Sequence, residues 1–235
     1  MSNLIVMKNE LIVPKAKELG IKVFKSRAEI ENFISLKIKS EGADALRSMM
    51  DGNERHVNKI TKHNSDRKEN VVNDFIKNGQ KPFCTLLSCS DSRLKISRMF
   101  DKKDGKIFSI KNAGNIAYDP VTIGTSEYGI KHLETPILMV LGHEFCGAVS
   151  ATCSHHGHVD PQKEGSISFI LEKIGHTAQK VNYDIESTIL LNIFDTIDQI
   201  RANSNIIVRC ENEGKVDIVA AYYSLTTGHV FLLDK

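Results

Sequence analysis

The sequence predicts an α/β protein in which helices flank a central, mostly parallel β-sheet. Two observations favour this class. From Pro82 onward, short apolar runs alternate with helical segments, which is the order found in proteins with a parallel sheet. The chain then closes with two apolar runs around Thr227-Gly228, a pattern typical of an antiparallel hairpin at a sheet edge. We therefore expect a single domain over residues 1–235.

The segment before the predicted sheet is expected to form an N-terminal helical arm over residues 26–79. This segment is highly charged, and within residues 43–57 the apolar side chains recur at helical spacing. A further helix is predicted near residues 69–78. Residues 1–25 give no usable pattern and form an unassigned extension, so the α/β core of the domain is expected to cover residues 80–235.

The strands of this core are predicted from apolar runs of the length that forms buried strands. They cover residues 83–88, 107–110, 137–141 and 206–208, followed by hairpin strands at 218–223 and 229–233. Helices are expected between them, near residues 121–133, 144–152 and 166–202, the last of which is long enough for two helices.

Composition excludes several classes of function. Hydrophobic residues make up 41% of the chain and charged residues 26%, with a net charge of +2, so neither a nucleic acid nor a membrane surface is an expected partner. No apolar run approaches the roughly 20 residues that span a bilayer. The amino terminus lacks the layout of a signal peptide, so we expect a cytoplasmic protein.

The five cysteines do not suggest a disulfide framework, because their number is odd and the expected compartment is reducing. Cys84, Cys153 and Cys210 lie in or beside apolar segments and are expected to be core residues. We assign Cys89 and Cys146 to a metal site.

Two short motifs provide the ligands of this predicted site. Cys89 directly follows the strand predicted at 83–88, and His143 and Cys146 follow the strand at 137–141. The carboxyl ends of adjacent parallel strands lie side by side, so these residues are expected to meet. Two thiolates and one imidazole form a three-ligand set for Zn²⁺ that leaves the fourth tetrahedral position open, as in catalytic zinc sites.

Asp91 and Arg93 follow the first thiolate and are predicted to form an ion pair beside the metal. In one interpretation, Asp91 orients the zinc-bound water. In another, it occupies the fourth zinc position when it leaves Arg93. The remaining alternative is structural, with Asp91 as a helix N-cap and Arg93 in a surface salt bridge. The sequence does not choose between the two metal-linked roles.

These motifs resemble those of the β-class carbonic anhydrases. The resemblance runs from about Leu46 to the carboxyl terminus. It rests on segments that occur in the family's order: residues 79–83 (GQKPF), 88–93 (SCSDSR), 111–115 (KNAGN), 126–128 (SEY), 141–149 (LGHEFCGAV), 221–223 (AYY) and 227–228 (TG).

The resemblance implies one Zn²⁺ per subunit, held by Cys89, His143 and Cys146, with Asp91 and Arg93 as the catalytic dyad. It also implies a substrate pocket formed by Gln80, Phe108 and Tyr128, to which we add Gly147 because a residue without a side chain permits close approach. Gln80 and Tyr128 would reach the site from a neighbouring subunit. The expected assembly is therefore a homodimer or a dimer of dimers, with the active site at the subunit interface.

Two features lie outside this pattern. Lys111 stands where many bacterial members of the family carry arginine, so regulation by a second bicarbonate is not expected. His155, His156 and His158 form a histidine-rich loop that is either a proton relay to buffer or an exposed loop without function.

The predicted function is reversible hydration of CO₂ to bicarbonate and a proton by attack of zinc-bound hydroxide. One alternative is hydrolysis of carbonyl sulfide or carbon disulfide on the same scaffold. A second alternative, from another class, is a non-catalytic zinc-binding scaffold or bicarbonate sensor. The presence of both Asp91 and Arg93 argues against the scaffold, because a structural site needs only ligands.

Overall fold

The centre of the computed structural model is a β-sheet of six strands. The structure describes residues 12–62, 76–77, 79–156 and 159–235. The strands are β1 (Lys22–Phe24), β2 (Cys84–Cys89), β3 (Ile107–Asn112), β4 (Ile137–His143), β5 (Asp217–Tyr223) and β6 (Val230–Asp234). Their order across the sheet is β1-β6-β5-β4-β2-β3. The four strands from β5 to β3 run parallel, whereas β6 and β1 are antiparallel to their neighbours. The predicted α/β class is confirmed.

Helices cover both faces of this sheet and fill the connections between its strands. They are α1 (Arg27–Lys37), α2 (Ala43–Val57), α3 (Ile96–Met99), α4 (Pro120–Lys131), α5 (Gly147–Ser154), α6 (Pro161–Glu164), α7 (Ile167–Lys180), α8 (Ile185–Asn203) and α9 (Asn205–Asn212), with a 3₁₀ turn at Ala113–Asn115. Residues 12–18 are also helical. Side-chain caps define several starts: Ser26 and Glu29 form a capping box at α1, and Asp119 caps α4.

The two strands at the middle of the sheet are buried along their whole length. Every residue of β2 and of β4 is buried, as expected for parallel strands covered on both faces. Helix α8 packs so closely on β4 that a Cβ atom built on Gly142 would lie 2.7 Å from the side chain of Ile193. An alanine at this position would therefore force the Ile193 side chain, or the end of β4 from which His143 projects, to move.

Helix α2 packs on the core through a buried side-chain amide. The Asn53 side chain donates to the Met99 and Gly228 carbonyl oxygens, at 3.2 and 2.8 Å, and accepts the Val230 N–H at 2.8 Å. Leu46 and Met49, on the same helix, are fully buried. The predicted apolar stripe of this arm thus packs against the body of its own chain and fixes the connection between β5 and β6.

One predicted strand is wrong. Residues 206–208 belong to α9, which begins after Ser204, whose hydroxyl accepts the Ile207 N–H at 3.1 Å. The run Ile206-Ile207-Val208 has the β-branched composition of a strand, but Ile207 is the buried residue of this helix. The cap and burial on one helical face override the local strand preference.

The other predicted elements agree with the structure where it describes them. The segment predicted at 166–202 does form two helices, α7 and α8, and β5 and β6 form the predicted hairpin. The edge strand β1, which pairs with β6, falls within the unassigned extension. Most of the helix predicted near 69–78, and His158, lie outside the described residues. Among the described residues, no helix is long and apolar enough to cross a bilayer.

Candidate active site

The two predicted half-motifs meet at the carboxyl edge of the sheet. Cys89 is the last residue of β2 and His143 the last of β4, and these strands are parallel neighbours in which Ser88 lies opposite Leu141. Cys146 follows as the residue that precedes α5. All three side chains are buried, and their ligand atoms lie within 4.8 Å of one another.

The spacing of this cluster fits a tetrahedral zinc ion. The sulfur atoms of Cys89 and Cys146 are 4.0 Å apart. Two thiolates bound to one tetrahedral zinc, at Zn–S distances of about 2.3 Å, would be about 3.8 Å apart. Two sulfurs and one imidazole nitrogen are also a donor set that suits zinc better than magnesium or calcium. The residues present therefore match the group that the sequence predicts.

The imidazole of His143 is oriented as a metal ligand. Its Nδ1 donates to the backbone carbonyl oxygen of Glu144 at 2.9 Å, so the lone pair of the neutral ring lies on Nε2. Nε2 is buried and has no hydrogen-bond partner among the described residues. A buried imidazole nitrogen without a partner is costly unless it binds a cation or a proton donor.

The two thiols are too close to behave independently. A hydrogen bond from Cys146 lowers the pKa of the Cys89 thiol to about 4 and raises the pKa of Cys146. The Gly114 N–H, in the 3₁₀ turn, adds a hydrogen bond of 3.4 Å to the Cys89 sulfur. This pair thus holds one negative charge readily, and a divalent cation would compensate the second.

Asp91 and Arg93 form a bidentate pair beside the cluster. Asp91 Oδ1 accepts Arg93 Nε at 2.9 Å and the Arg93 backbone N–H at 2.9 Å, while Oδ2 accepts Nη2 at 2.6 Å. The guanidinium lowers the pKa of Asp91 to about 2. Nη2 also donates to the Phe145 carbonyl oxygen at 3.1 Å, which connects the pair to the segment between His143 and Cys146.

Comparison with known proteins identifies the family of this chain. The sequence profile of a family described as carbonic anhydrase matches residues 84–230. "Carbonic anhydrase 2" of Mycobacterium tuberculosis is 27% identical over 81% of this chain and 92% of that protein, and a carbonic anhydrase of Mycolicibacterium smegmatis is 29% identical over 80% and 91%. A tetrameric β-carbonic anhydrase from Sordaria macrospora has the same fold (TM-score 0.62, 19% identity, 70% of this chain and 86% of that one). The chain belongs to the β-class carbonic anhydrase family.

As a member of this family, the protein is a carbonic anhydrase, an enzyme that hydrates CO₂. Arg93, beside the cluster, lines a cleft of about 220 Å³. The cleft is lined mainly by basic and aromatic side chains, namely His56, Arg93, Lys95, Arg98, Met99 and Tyr223. This positive lining favours the approach of anions to the Arg93 side of the site.

The structure does not bring the predicted pocket residues Phe108 and Tyr128 to the cluster of the same carbonic anhydrase chain. Phe108 lies opposite Thr85, at the amino end of β2, whereas Cys89 lies opposite Asn112. At about 3.3 Å per residue, this separates Phe108 from the ligand end of the strand by about 13 Å. Phe108 and Tyr128 do lie together, with ring centroids 6.0 Å apart.

The remaining predicted residues occupy different places. Gln80 is exposed and precedes the amino end of β2. Gly147, the first residue of α5, directly follows the ligand Cys146, and a Cβ atom built on it meets nothing within 4 Å. His155 and His156 are exposed at the end of α5.

Sequence reasoning missed two residues that contact the cluster. Gly114 donates its N–H to Cys89 with a φ of 76°, a conformation that glycine adopts without strain. The motif at residues 111–115, which contains Gly114, is the sequence signal that could have identified this residue. Glu144 accepts the Nδ1–H of His143 on its carbonyl oxygen, and its buried carboxylate bonds to residues of the β5–β6 connection. No spacing in the sequence indicates that contact.

Proposed function

We propose that this carbonic anhydrase hydrates CO₂ reversibly at one zinc ion per subunit, held by Cys89, His143 and Cys146. The observation that carries the proposal is the buried Nε2 of His143, which lacks a partner among the described residues and lies within 4.8 Å of both sulfur atoms. Zinc bound there would lower the pKa of a water molecule at the fourth position and supply a nucleophile at neutral pH.

Asp91 is proposed to orient the reacting water. Its Oδ1 accepts two hydrogen bonds from Arg93. Its Oδ2 accepts only one bond from Arg93 and keeps a lone pair for a further donor. Because the pKa of Asp91 is held to about 2, the group is an acceptor and not an acid at working pH. Arg93 acts by fixing the carboxylate.

Of the two metal-linked roles for Asp91, the geometry favours the one that leaves the fourth position open. Both oxygens of Asp91 contact Arg93, and Arg93 is held in turn by the Phe145 carbonyl oxygen. Ligation of zinc by Asp91 would require this bidentate pair to break. We therefore propose an active arrangement in which the dyad is intact.

The substrate pocket is proposed to form between two copies of the chain. Phe108 and Tyr128 lie near the amino end of β2 in their own chain, and 48% of Tyr128 is exposed. An exposed aromatic ring that packs against a half-buried one is expected to be covered in an assembly. In a homodimer, or a dimer of dimers, these rings and Gln80 would line the site of the neighbouring subunit, with Gly147 permitting close approach beside Cys146.

A stopped-flow assay of CO₂ hydration on protein with quantified zinc tests the proposal. We expect activity proportional to zinc content, its loss on chelation and its return with zinc. Carbonyl sulfide and carbon disulfide, as parallel substrates, test the alternative hydrolase. Zinc-loaded protein that hydrates none of the three would overturn catalysis and leave the zinc-binding scaffold.

A further inference from the structure

We propose that Glu144 is a positioning residue that holds the ligand His143 by clamping residues 143–146 to the β5–β6 connection. This inference rests on the proposed function, because it concerns a ligand of the zinc ion. Glu144 is an acidic residue placed between two predicted ligands, yet its side chain takes no part in the cluster. Only 8% of the residue is exposed, so its carboxylate is held inside the protein.

The Glu144 carboxylate is held by three hydrogen bonds from one short segment. Oε2 accepts the Thr226 N–H at 2.8 Å and the Ser224 hydroxyl at 3.0 Å, and Oε1 accepts the Thr226 hydroxyl at 2.9 Å. These bonds cross between segments far apart in the sequence. Three donors directed at one buried carboxylate define its position closely, and charge-assisted bonds of this kind are stronger than neutral ones.

The backbone of Glu144 is fixed at the same time. Its N–H donates to the Tyr223 carbonyl oxygen at 2.9 Å, which continues the pairing of β4 with β5. Its own carbonyl oxygen accepts the Nδ1–H of His143 at 2.9 Å. The residue that sets the tautomer and ring orientation of the ligand is therefore held by its side chain and its backbone together.

The connection that receives Glu144 is itself anchored. Ser224 donates its backbone N–H to the His229 carbonyl oxygen at 2.9 Å and accepts the Gly228 N–H at 2.8 Å. Asn53 of α2 bonds to Gly228 and Val230 on the far side of the same connection. Helix α2, the connection, Glu144 and His143 thus form one continuous series of hydrogen bonds.

Charge also points to a positioning role. A buried carboxylate is expensive to desolvate. An apolar residue would avoid that cost but would leave the Thr226 N–H without its acceptor. The desolvation cost of the Glu144 carboxylate is explained if the carboxylate fixes His143. Removing the carboxylate should then loosen this ligand.

The test measures zinc binding and stability separately. Glu144→Ala is compared with Asp217→Ala, a matched control at the opposite end of β5. Asp217 is also a buried carboxylate that accepts backbone N–H bonds, from Lys39 and Ser40. Zinc affinity is measured by competition with a chelator, the ligand field by the visible spectrum of the cobalt-substituted protein, and stability by unfolding of the metal-free protein.

We expect Glu144→Ala to weaken zinc binding by about 10–100-fold and to change the cobalt spectrum. Asp217→Ala should lower stability with a change in zinc affinity of less than about threefold, since its contacts are remote from the ligands. Glu144→Gln should recover most of the affinity, because the amide oxygen accepts the Thr226 N–H and the amide group donates to the Thr226 hydroxyl.

Thr226→Val provides a milder variant if Glu144→Ala does not fold. It removes one bond to Oε1 and keeps the Thr226 N–H, so a smaller loss of zinc affinity is expected than for Glu144→Ala. Wild-type zinc affinity in both Glu144→Ala and Thr226→Val, or equal losses of zinc affinity in Glu144→Ala and Asp217→Ala, would overturn the positioning role of Glu144 but not the proposed function. A wild-type chain that binds no zinc would overturn the proposed function as well.

Discussion

The two ends of β2 and β4 carry buried polar groups of different kinds. At the amino end, Thr85 and Thr135 share a hydrogen bond of 2.7 Å, and Thr135 also donates to the Gly129 carbonyl oxygen at 3.1 Å. At the carboxyl end, Nε2 of His143 has no partner within the described part of the chain, and the Cys89 and Cys146 sulfurs face each other. The same strands thus end in a satisfied network on one side and in ligand atoms with remaining bonding capacity on the other.

This difference assigns a structural role to the amino end of the strands and a functional role to their carboxyl end. Polar groups at the amino end satisfy one another and stabilise the fold. Those at the carboxyl end keep bonding capacity, which is costly in a buried position unless a ligand uses it. Substitutions at the amino end should therefore lower stability, whereas those at the carboxyl end should lower zinc-dependent activity.

The largest effect is expected from Cys89→Ser, at the carboxyl end of β2, and Cys84→Ala at the amino end is its comparison. Cys89→Ser should lose zinc and lower CO₂ hydration by at least about 100-fold, because it removes a thiolate ligand. Cys84→Ala, at the buried start of the same strand, should keep zinc and activity while costing about 1–2 kcal/mol of stability. Metal analysis, stopped-flow kinetics and urea unfolding measure the three quantities. Equal loss of zinc in both variants would erase the contrast between the two ends.

A smaller effect is expected from Asp91→Asn. Zinc should remain bound, while kcat falls about 10–100-fold because the amide is a weaker acceptor and pairs poorly with Arg93. Asp119→Asn serves as the control, because Asp119 caps α4 and asparagine is an equally good cap. An unchanged kcat in Asp91→Asn would assign Asp91 to structure, as a turn or cap residue.

A still smaller effect is expected from Tyr128→Ala. This variant tests whether residues near the amino end of β2 in one subunit line the zinc site at the carboxyl end of β2 in another. Tyr128→Ala should lower kcat/KM about 10-fold through loss of part of the apolar pocket. Assemblies that combine Tyr128→Ala subunits with Cys89→Ser subunits should exceed the mean activity of the two parents, because each mixed pair contains one complete site. Activity equal to that mean would place Tyr128 in the site of its own chain or outside any site.

The smallest effect is expected in the pH dependence of activity. Since Arg93 lowers the pKa of Asp91 from its ordinary 3.8 to about 2, this carboxylate is charged throughout the working range. Its stabilising contribution is complete above pH 3.8 and is lost as the pH falls through about 2. We expect kcat to fall towards mildly acidic pH through protonation of the reacting water and not of Asp91. In Asp91→Asn this limb should persist, shifted by less than about one unit towards lower pH, because a negative charge is removed. Its disappearance would assign the limb to Asp91.

Sequence alone predicts the ligand end of the sheet well because its signals are local. Cys89 and His143 each follow an apolar run, and the parallel order of these runs brings the strand ends together. Predicting α9 as a strand fails because the choice depends on the Ser204 cap and on burial of Ile207 against other elements. Glu144 is missed for a similar reason, since its partners Ser224 and Thr226 become neighbours only through the pairing of β4 with β5.

The parallel pairing of β2 with β4 also determines when the cluster can form. Parallel neighbours need a crossover connection, which here contains β3 and α4, so Cys89 reaches His143 only after that whole segment has folded. His143 and Cys146, in contrast, are close as soon as they leave the ribosome. Capture of the proposed zinc ion by all three ligands is therefore expected late in folding, because it depends on non-local contacts that form slowly. A nascent chain that stops before β4 carries Cys89 without its two partner ligands, open to the same oxidants as any other unprotected cysteine.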